Sequence, residues 1–296
     1  MYKYKKGWSV NNGKPSFCYA VSSHKLESYL GGLSKEIIET NNLNDYIEFC
    51  LKENAKKIVL VDINQNDFDN IIETLSHIIE EIDINYCNNK SINDYSKLEK
   101  CNNLINVSIY GHRLTLKLWA TSNNQLLERL EIIGVNRLLN QDGLKSSSVK
   151  ELIIKNRNSN LNDTKSPEIK DFSIFETIPN LKILDLFIGK KVDKTNDLIS
   201  LSKLKNIENI TLPKNYFYFD QYAWLSSKLK NVKGIGCIKI ERWNKRIEKN
   251  EYTINGVWMP WEFKDYYGDG INKYLEKFND LVDKFSKIDM PPQHNK

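Results

Sequence analysis

The chain has 296 residues, of which 40% are hydrophobic and 27% charged, a composition typical of a folded globular protein and not of a disordered one. Its net charge of +5 comes from 43 basic and 38 acidic residues spread along the sequence, so we expect no nucleic-acid partner. No run reaches the roughly 18 to 20 apolar residues of a membrane helix, and polar residues follow the basic N-terminus, so we expect no membrane contact and a cytoplasmic address.

Residues 1–54 begin with a predicted β-hairpin and continue with a predicted helix. Apolar residues alternate on both sides of a Gly-Lys-Pro turn at residues 13–15, which indicates two antiparallel strands. The alternating residues are Tyr2, Tyr4, Phe17, Tyr19 and Val21. The helix is indicated by apolar residues at three- and four-residue steps, preceded by Asn42 and Asp45 as an N-terminal cap. These apolar residues are Leu43, Tyr46, Ile47, Cys50 and Leu51.

A repeated apolar triplet organises the central part of the chain. Each triplet is an apolar residue, two free positions, a second apolar residue, one free position and a third apolar residue. The triplets are Ile58-Val61-Ile63, Ile79-Ile82-Ile84, Leu104-Val107-Ile109, Leu127-Leu130-Ile132, Val149-Leu152-Ile154, Leu181-Leu184-Leu186, Ile207-Ile210-Leu212 and Val232-Ile235-Cys237. Successive triplets begin 21, 25, 23, 22, 32, 26 and 25 residues apart. All but one of these steps fall between roughly 20 and 29 residues, a spacing typical of a repeat architecture.

The triplet has a simple physical interpretation. Its last two residues lie two positions apart on a short strand, so both side chains point into the core, and the residues between them point to the other face. Short turns resembling one another precede three of the strands, at residues 178–181, 204–207 and 229–232. Stacked strands of this kind form a parallel sheet, because one repeat cannot bury its apolar face alone.

In these triplets the chain resembles the leucine-rich-repeat family, over roughly residues 55 to 240. The family places Asn or Cys three residues after the last strand position, and Asn66, Cys87 and Asn215 fit. The step of 32 residues implies an insertion, with a loop at residues 156–163. The resemblance implies an α/β leucine-rich-repeat solenoid with parallel strands on its concave face. Atypical caps are expected at 1–54 and 241–296, on either side of the repeats at 55–240.

The predicted C-terminal cap contains a hairpin, an amphipathic helix and many aromatic residues. Alternating stretches at 238–240 and 252–254 predict the hairpin. Apolar residues that align on one face predict the helix: Ile271, Tyr274, Leu275, Phe278, Leu281, Val282 and Phe285. The aromatic residues are Tyr216, Phe217, Tyr218, Phe219, Tyr222, Trp224, Trp243, Trp258, Trp261, Tyr266 and Tyr267. They either pack the end of the repeats or form a binding surface.

No motif in the sequence indicates catalysis. Phosphate-binding glycine loops and nucleophile motifs are absent, and the five cysteines show no metal-ligand spacing, so free thiols are expected. A Cys87–His112 pair in adjacent turns is a possible nucleophile site, but the repeat position of Cys87 favours a structural role. We therefore expect no enzyme activity, no metal and no cofactor.

The remaining candidate site is the exposed strand face. The side chains expected there as partner contacts are Asp62, Asp83, Ser108, Tyr110, Arg129, Glu131, Glu151, Asp185 and Phe187. Such a mixture of charged, polar and aromatic groups suits a protein partner better than a polyanion. The leading hypothesis is a non-enzymatic protein-binding module, similar to bacterial leucine-rich-repeat proteins that act as adaptors or antidotes. The alternative is an enzyme or small-ligand binder with its site in the aromatic C-terminal cap.

Overall fold

The structure is a computed structural model that describes residues 2–11, 14–22, 36–40, 42–85, 92–155, 169–188, 195–213, 216–244, 249–255 and 269–294. The chain comprises two compact units, Met1–Pro167 and Glu168–Lys296. The predicted division into two caps and a repeat region at 55–240 was based on the repeated triplets, whereas the two units are defined by compactness. The predicted division therefore stays a prediction. The loop predicted at 156–163 lies outside the described residues.

The first unit is an α/β structure built on a mainly parallel sheet. Its strands are β1 (Tyr2–Asn11), β2 (Lys14–Ser22), β3 (Glu36–Thr40), β4 (Lys57–Val61), β5 (Glu81–Asn85), β6 (Asn106–Lys117), β7 (Arg129–Leu139) and β8 (Glu151–Lys155). Within the unit they lie in the order β3-β1-β2-β4-β5-β6-β7-β8. Strand β1 is antiparallel to β2 and β3, which confirms the predicted hairpin, and every pairing from β2 to β8 is parallel. The predicted turn is displaced, because Lys14 and Pro15 pair with β1 as part of β2.

Helices and helical turns connect the parallel strands. They are α1 (Leu43–Lys52), α2 (Gln65–Leu75) and the 3-10 helices Ser96–Lys100, Thr121–Asn123 and Gln141–Leu144. The predicted helix and cap at the start are confirmed, because the side chain of Asn42 accepts a hydrogen bond from the backbone of Asn44 at 3.0 Å. Asn64 caps α2 in the same way, so the chain turns helical directly after β4. Asn66, one of the three residues that fit the Asn or Cys position of the repeat pattern, therefore lies exposed on α2 and not in a buried turn. Cys87 and Asn215 lie outside the described residues.

The buried face of the parallel sheet consists of the aliphatic residues that share a register row. Ile82, Val107, Leu130 and Leu152 form one row, and the residues two positions later form the next. The first triplet was assigned incorrectly: Ile58 and Leu60, not Val61 and Ile63, lie level with Ile82 and Ile84. The sequence could not distinguish the two, because all of β4 and Ile63 are buried. The first repeat therefore aligns on Ala55, which is also fully buried.

The turns before β5, β7 and β8 carry the same backbone hydrogen bonds. In each, one carbonyl of the preceding turn accepts from two successive amides of the next: Lys56 O from Glu80 and Glu81, Ile105 O from Glu128 and Arg129, and Glu128 O from Lys150 and Glu151. Polar side chains reinforce this stacking, since the amide of Asn103 donates to His77 O at 2.8 Å. Backbone groups in these turns are thus satisfied by the neighbouring repeat.

The second unit contains two parallel strands, a hairpin and four helices among its described residues. They are α3 (Ser173–Glu176), β9 (Ile183–Phe187), α4 (Thr195–Ser202), β10 (Asn209–Thr211), α5 (Phe219–Lys228), β11 (Ile238–Asn244), β12 (Lys249–Ile254) and α6 (Asp269–Phe285). Strands β9 and β10 are parallel, and β11 and β12 are antiparallel. The predicted C-terminal hairpin and amphipathic helix are confirmed. Nowhere in the described part of the chain does a helix have the length and apolar character needed to cross a bilayer.

Packing accounts for most of the described aromatic cluster. Tyr216, Phe217, Tyr222 and Trp224 are at most 2% exposed, and the indole of Trp224 donates to Ile288 O at 3.1 Å. The ring of Phe219 meets Tyr274 and Phe278 edge-on, which joins α5 to α6. Trp243 lies in β11, whereas Trp258, Trp261, Tyr266 and Tyr267 lie outside the described residues.

Candidate functional site

One face of strands β4 to β8 carries a continuous set of polar side chains. It is the face opposite the aliphatic rows, because successive residues of a strand point to opposite sides. We call it the polar strand face. Its polar residues include Lys57, Glu81, Asp83, Asn106, Ser108, Tyr110, Arg129, Glu131, Glu151 and Lys155, and the apolar Val59, Ile133 and Ile153 lie among them.

Lys57 forms the centre of a first group of charges. Its Nζ lies 3.2 Å from Glu81 Oε2 and 3.4 Å from Asp83 Oδ2, and its side chain is only 4% exposed. Burial alone would lower the pKa of this ammonium group, but the charges of Asp83 and Glu81 and the hydrogen bonds to them outweigh it and raise the pKa. Lys57 is therefore held in its charged form between two carboxylates. We call these three residues the Lys57 trio.

The pKa of Asp83, the second carboxylate of the Lys57 trio, is shifted by opposing effects. Burial raises its pKa, and the neighbouring charge of Glu81 adds to that effect, while the charge and hydrogen bond of Lys57 oppose it. Ser108 on the next strand is 3% exposed and donates a further hydrogen bond that favours the ionised form of Asp83. The trio is thus connected to β6 through Ser108.

Arg129 forms the centre of a second group, which we call the Arg129 trio. Its Nη2 lies 3.0 Å from Glu131 Oε2, and its Nη1 lies 2.7 Å from Glu151 Oε1. The hydroxyl of Tyr110 donates to the same oxygen of Glu131. Burial raises the pKa of Tyr110, and the carboxylate of Glu131 raises it further, so the hydroxyl stays protonated as a donor. Tyr110 and Ser108 join the two trios across β6.

Together the two trios have an excess of negative charge. Their two cations, Lys57 and Arg129, face four carboxylates. Three of these carboxylates remain open to solvent, with side-chain exposures of 29% for Glu81, 21% for Asp83 and 27% for Glu151. The arrangement can accept hydrogen bonds and attract cationic groups, while its internal ion pairs hold the side chains in place.

The structure brings together six of the nine residues predicted as partner contacts: Asp83, Ser108, Tyr110, Arg129, Glu131 and Glu151. Ser108 and Glu131 are buried, at 3% and 8% exposure, so the expectation that they project freely was wrong.

Asp62 does not join the polar strand face. It follows β4 in the left-handed region, with φ of 52°, and its backbone amide donates to Asn85 O at 2.9 Å. At 2% exposure it is a buried turn residue, which contradicts its predicted exposure. Asp185 and Phe187 are half-buried on β9 in the second unit.

Lys57 is the residue that the sequence reasoning missed. The sequence analysis makes no prediction for this lysine, because the first repeat was aligned three residues too late. With the correct alignment, Lys57, Glu81, Asn106, Arg129 and Glu151 occupy one register row. Opposite charges at one repeat position are the signal that would have identified it.

The three cysteines whose side chains the structure describes have no reactive environment. Cys50, Cys101 and Cys237 are free thiols, as predicted, and all three are buried. Burial raises the pKa of Cys50 and of Cys101 to about 12, so little thiolate forms at neutral pH. His112 lies in β6, and Cys87 is outside the described residues, so the proposed pair between them stays untested. In the described part of the chain, no three His, Cys, Asp or Glu residues are grouped as metal ligands.

No protein-family model, curated protein or solved structure matches the chain. Any assignment to a repeat family therefore depends on the chain's own triplets and on the recurring turn geometry. A functional assignment depends on the polar strand face.

Proposed function

We propose that the chain is a leucine-rich-repeat solenoid that binds another protein through the polar strand face and catalyses no reaction. The α/β architecture with parallel strands supports the repeat assignment. The same two-amide hydrogen-bonding pattern in the turns before β5, β7 and β8 also supports it, because stacked repeats satisfy one another's backbone in this way.

The observation that carries the proposal is the pair of charged trios on β4, β5, β7 and β8, which Ser108 and Tyr110 connect across β6. Five of these side chains, on β4, β6 and β7, are largely buried, while those on β5 and β8 remain partly open to solvent. Building so many charged groups into a sheet face costs desolvation and does little for stability. Electrostatic complementarity to a partner is a function that such a face serves well, since it sets specificity and association rate.

A binding module of this kind acts by staying bound to its partner and not by changing it chemically. An adaptor joins two proteins, and an antidote covers the working surface of its target. The polar strand face fits either role, because both need a rigid surface of fixed charge pattern. The identity of the bound protein then decides between them.

The experiment that tests the proposal blocks the face without changing its charge. Asn106 is half-buried in the middle of the register row between Glu81 and Arg129. Asn106→Tyr places a bulky, strand-compatible side chain there. Asn70→Tyr, at an exposed position of α2, is the matched control. Partners of the tagged wild-type chain are identified by mass spectrometry and then purified for direct titration.

We expect a purified partner to bind wild type and Asn70→Tyr equally and to bind Asn106→Tyr at least about tenfold more weakly. Circular dichroism and thermal unfolding first establish that both variants are folded. Equal binding by all three proteins would overturn the proposal, because the centre of the face would then be free of the partner.

A further inference from the structure

We infer that the partner presents two basic side chains about 14 Å apart on an extended segment that crosses the strands of the polar strand face. This inference rests on the proposed function and specifies the chemistry of its partner. The inference is based on where the negative charges lie on the polar strand face, and not on the net charge of that face. Each trio contains one cation and two carboxylates, so the excess charge is divided between two places.

The spacing follows from the register of the strands. Glu81 on β5 and Glu151 on β8 lie in one row, with Asn106 and Arg129 between them. Three strand spacings separate the two glutamates, which corresponds to about 14 Å. Both carboxylates remain partly exposed, at 29% and 27%. Each shares its cation with a second carboxylate, so a further positive charge is favourable at both ends.

An extended segment matches this spacing. Four residues of extended chain span about 13 Å, and residues four apart project to the same side. Two Arg or Lys side chains at positions i and i+4 therefore reach Glu81 and Glu151 together. Adjacent basic residues project to opposite sides and reach only one.

Arg129 lies at the middle of the row. Both of its Nη atoms are paired, and its Nε is shielded from solvent and therefore not accessible to a partner. The oxygens that a partner can reach in this row are those of Glu81 and Glu151, at its two ends.

Two isomeric peptides test the inference on the full chain. Each has about nine residues of Thr and Ser with two Arg residues, placed four positions apart in one peptide and adjacent in the other. Each peptide is titrated into the protein, and the changes in the backbone amide chemical shifts of β5 to β8, measured by nuclear magnetic resonance, give its dissociation constant. The variant Glu81→Gln with Glu151→Gln removes both charges. Glu48→Gln with Asp142→Asn removes two exposed charges elsewhere in the chain and is the matched control.

We expect the spaced peptide to bind wild type and the control variant at least about fivefold more tightly than the adjacent peptide, and this preference to vanish in the Glu81/Glu151 variant. Equal binding of the two peptides to wild type, no binding of either, or an equal loss in both variants would overturn the inference. These results are independent of the Asn106→Tyr titration, which alone decides whether the face binds the natural partner.

Discussion

Trp119 and Asn124 form a buried hydrogen bond that closes the turn after β6. The indole Nε1 donates to Asn124 Oδ1 at 2.7 Å, and both side chains are at most 1% exposed. The amide of Asn124 also donates to Leu98 O at 2.8 Å and to Cys101 O at 2.9 Å. One side chain therefore satisfies a donor of its own turn and two carbonyls of the preceding repeat.

We predict that Asn124→Ala lowers the free energy of unfolding by about 2 kcal/mol, because it leaves the buried indole N–H of Trp119 without an acceptor. Leu98 O and Cys101 O each lose one hydrogen bond but still accept from the backbone amides of Cys101 and Leu104. Asn123→Ala is the control, since Asn123 is exposed and its amide donates to half-buried Glu99. That change should cost less than about 0.5 kcal/mol. Urea unfolding of both variants provides the comparison. Equal effects would mean that water replaces the lost bonds at the buried position.

The apolar periodicity was sufficient to predict the parallel strands, both hairpins and the terminal helices. It succeeded because the residues two apart on each strand are buried, as with Ile82 and Ile84, whereas their neighbours Glu81 and Asp83 are only half-buried. The same rule failed for β4, where Val59 and Val61 on the second face are buried as well. A strand buried on both faces has no alternation from which its register can be read.

The candidate site was predicted only in part. Residues on β5 to β8 were identified because each follows from the strand alternation of its own repeat. The ion pairs were not, because they join different strands and depend on register: Lys57 meets Glu81 only when the first repeat is aligned on Ala55. Asp62 was misplaced for a local reason, since its left-handed backbone ends the alternation after β4.

Gly134 marks an irregularity between β6 and β7 that is sensitive to any side chain. Its φ is 88°, and an added Cβ would lie 1.9 Å from the carbonyl oxygen of Gly111. We predict that Gly134→Ala lowers the free energy of unfolding by at least about 2 kcal/mol, from left-handed strain and backbone collision together. Gly236→Ala is the control, because nothing lies within 4 Å of its added Cβ. A near-neutral Gly134→Ala in thermal unfolding would contradict the prediction.

Asp83 should make stability depend on pH in an unusual direction. Burial raises its pKa in the folded state above the unfolded pKa of about 3.9. Between the unfolded and the folded pKa, the folded protein binds more protons than the unfolded chain does. The contribution of Asp83 to stability therefore falls as pH rises through this range. We predict that the free energy of unfolding of Asp83→Asn increases relative to wild type as the pH is raised above about 4. Urea unfolding at a series of pH values measures this difference.

Glu73 supplies the opposite case for comparison. Hydrogen bonds from Lys97 and Lys100 lower its pKa, so its contribution is present above the unfolded pKa of about 4.3 and is lost as pH falls through the folded pKa. The advantage of wild type over Glu73→Gln should therefore grow as the pH rises. Parallel pH trends for the two variants would show that the trend of Asp83→Asn does not come from its burial.

Arg129 forms two ion pairs that differ in length and in burial, so their strengths show which of the two properties matters more. Its contact with Glu151 is shorter, at 2.7 Å, than its contact with Glu131, at 3.0 Å. The side chain of Glu131 is the more buried, at 11% exposure against 27%. The difference in distance changes a Coulomb energy by only about a tenth, whereas hydration of an exposed carboxylate changes the effective dielectric constant by much more.

We predict that Arg129→Met lowers the free energy of unfolding by about 2 to 4 kcal/mol, because Glu131 stays buried without its cation. Double-mutant cycles in urea should give a coupling of about 1 to 2 kcal/mol between Arg129→Met and Glu131→Gln. The cycle with Glu151→Gln should give less than about 1 kcal/mol, since water screens that pair. A larger coupling to Glu151 would mean that contact distance governs the trio, and that Glu151 is less available to a cationic partner than its exposure indicates.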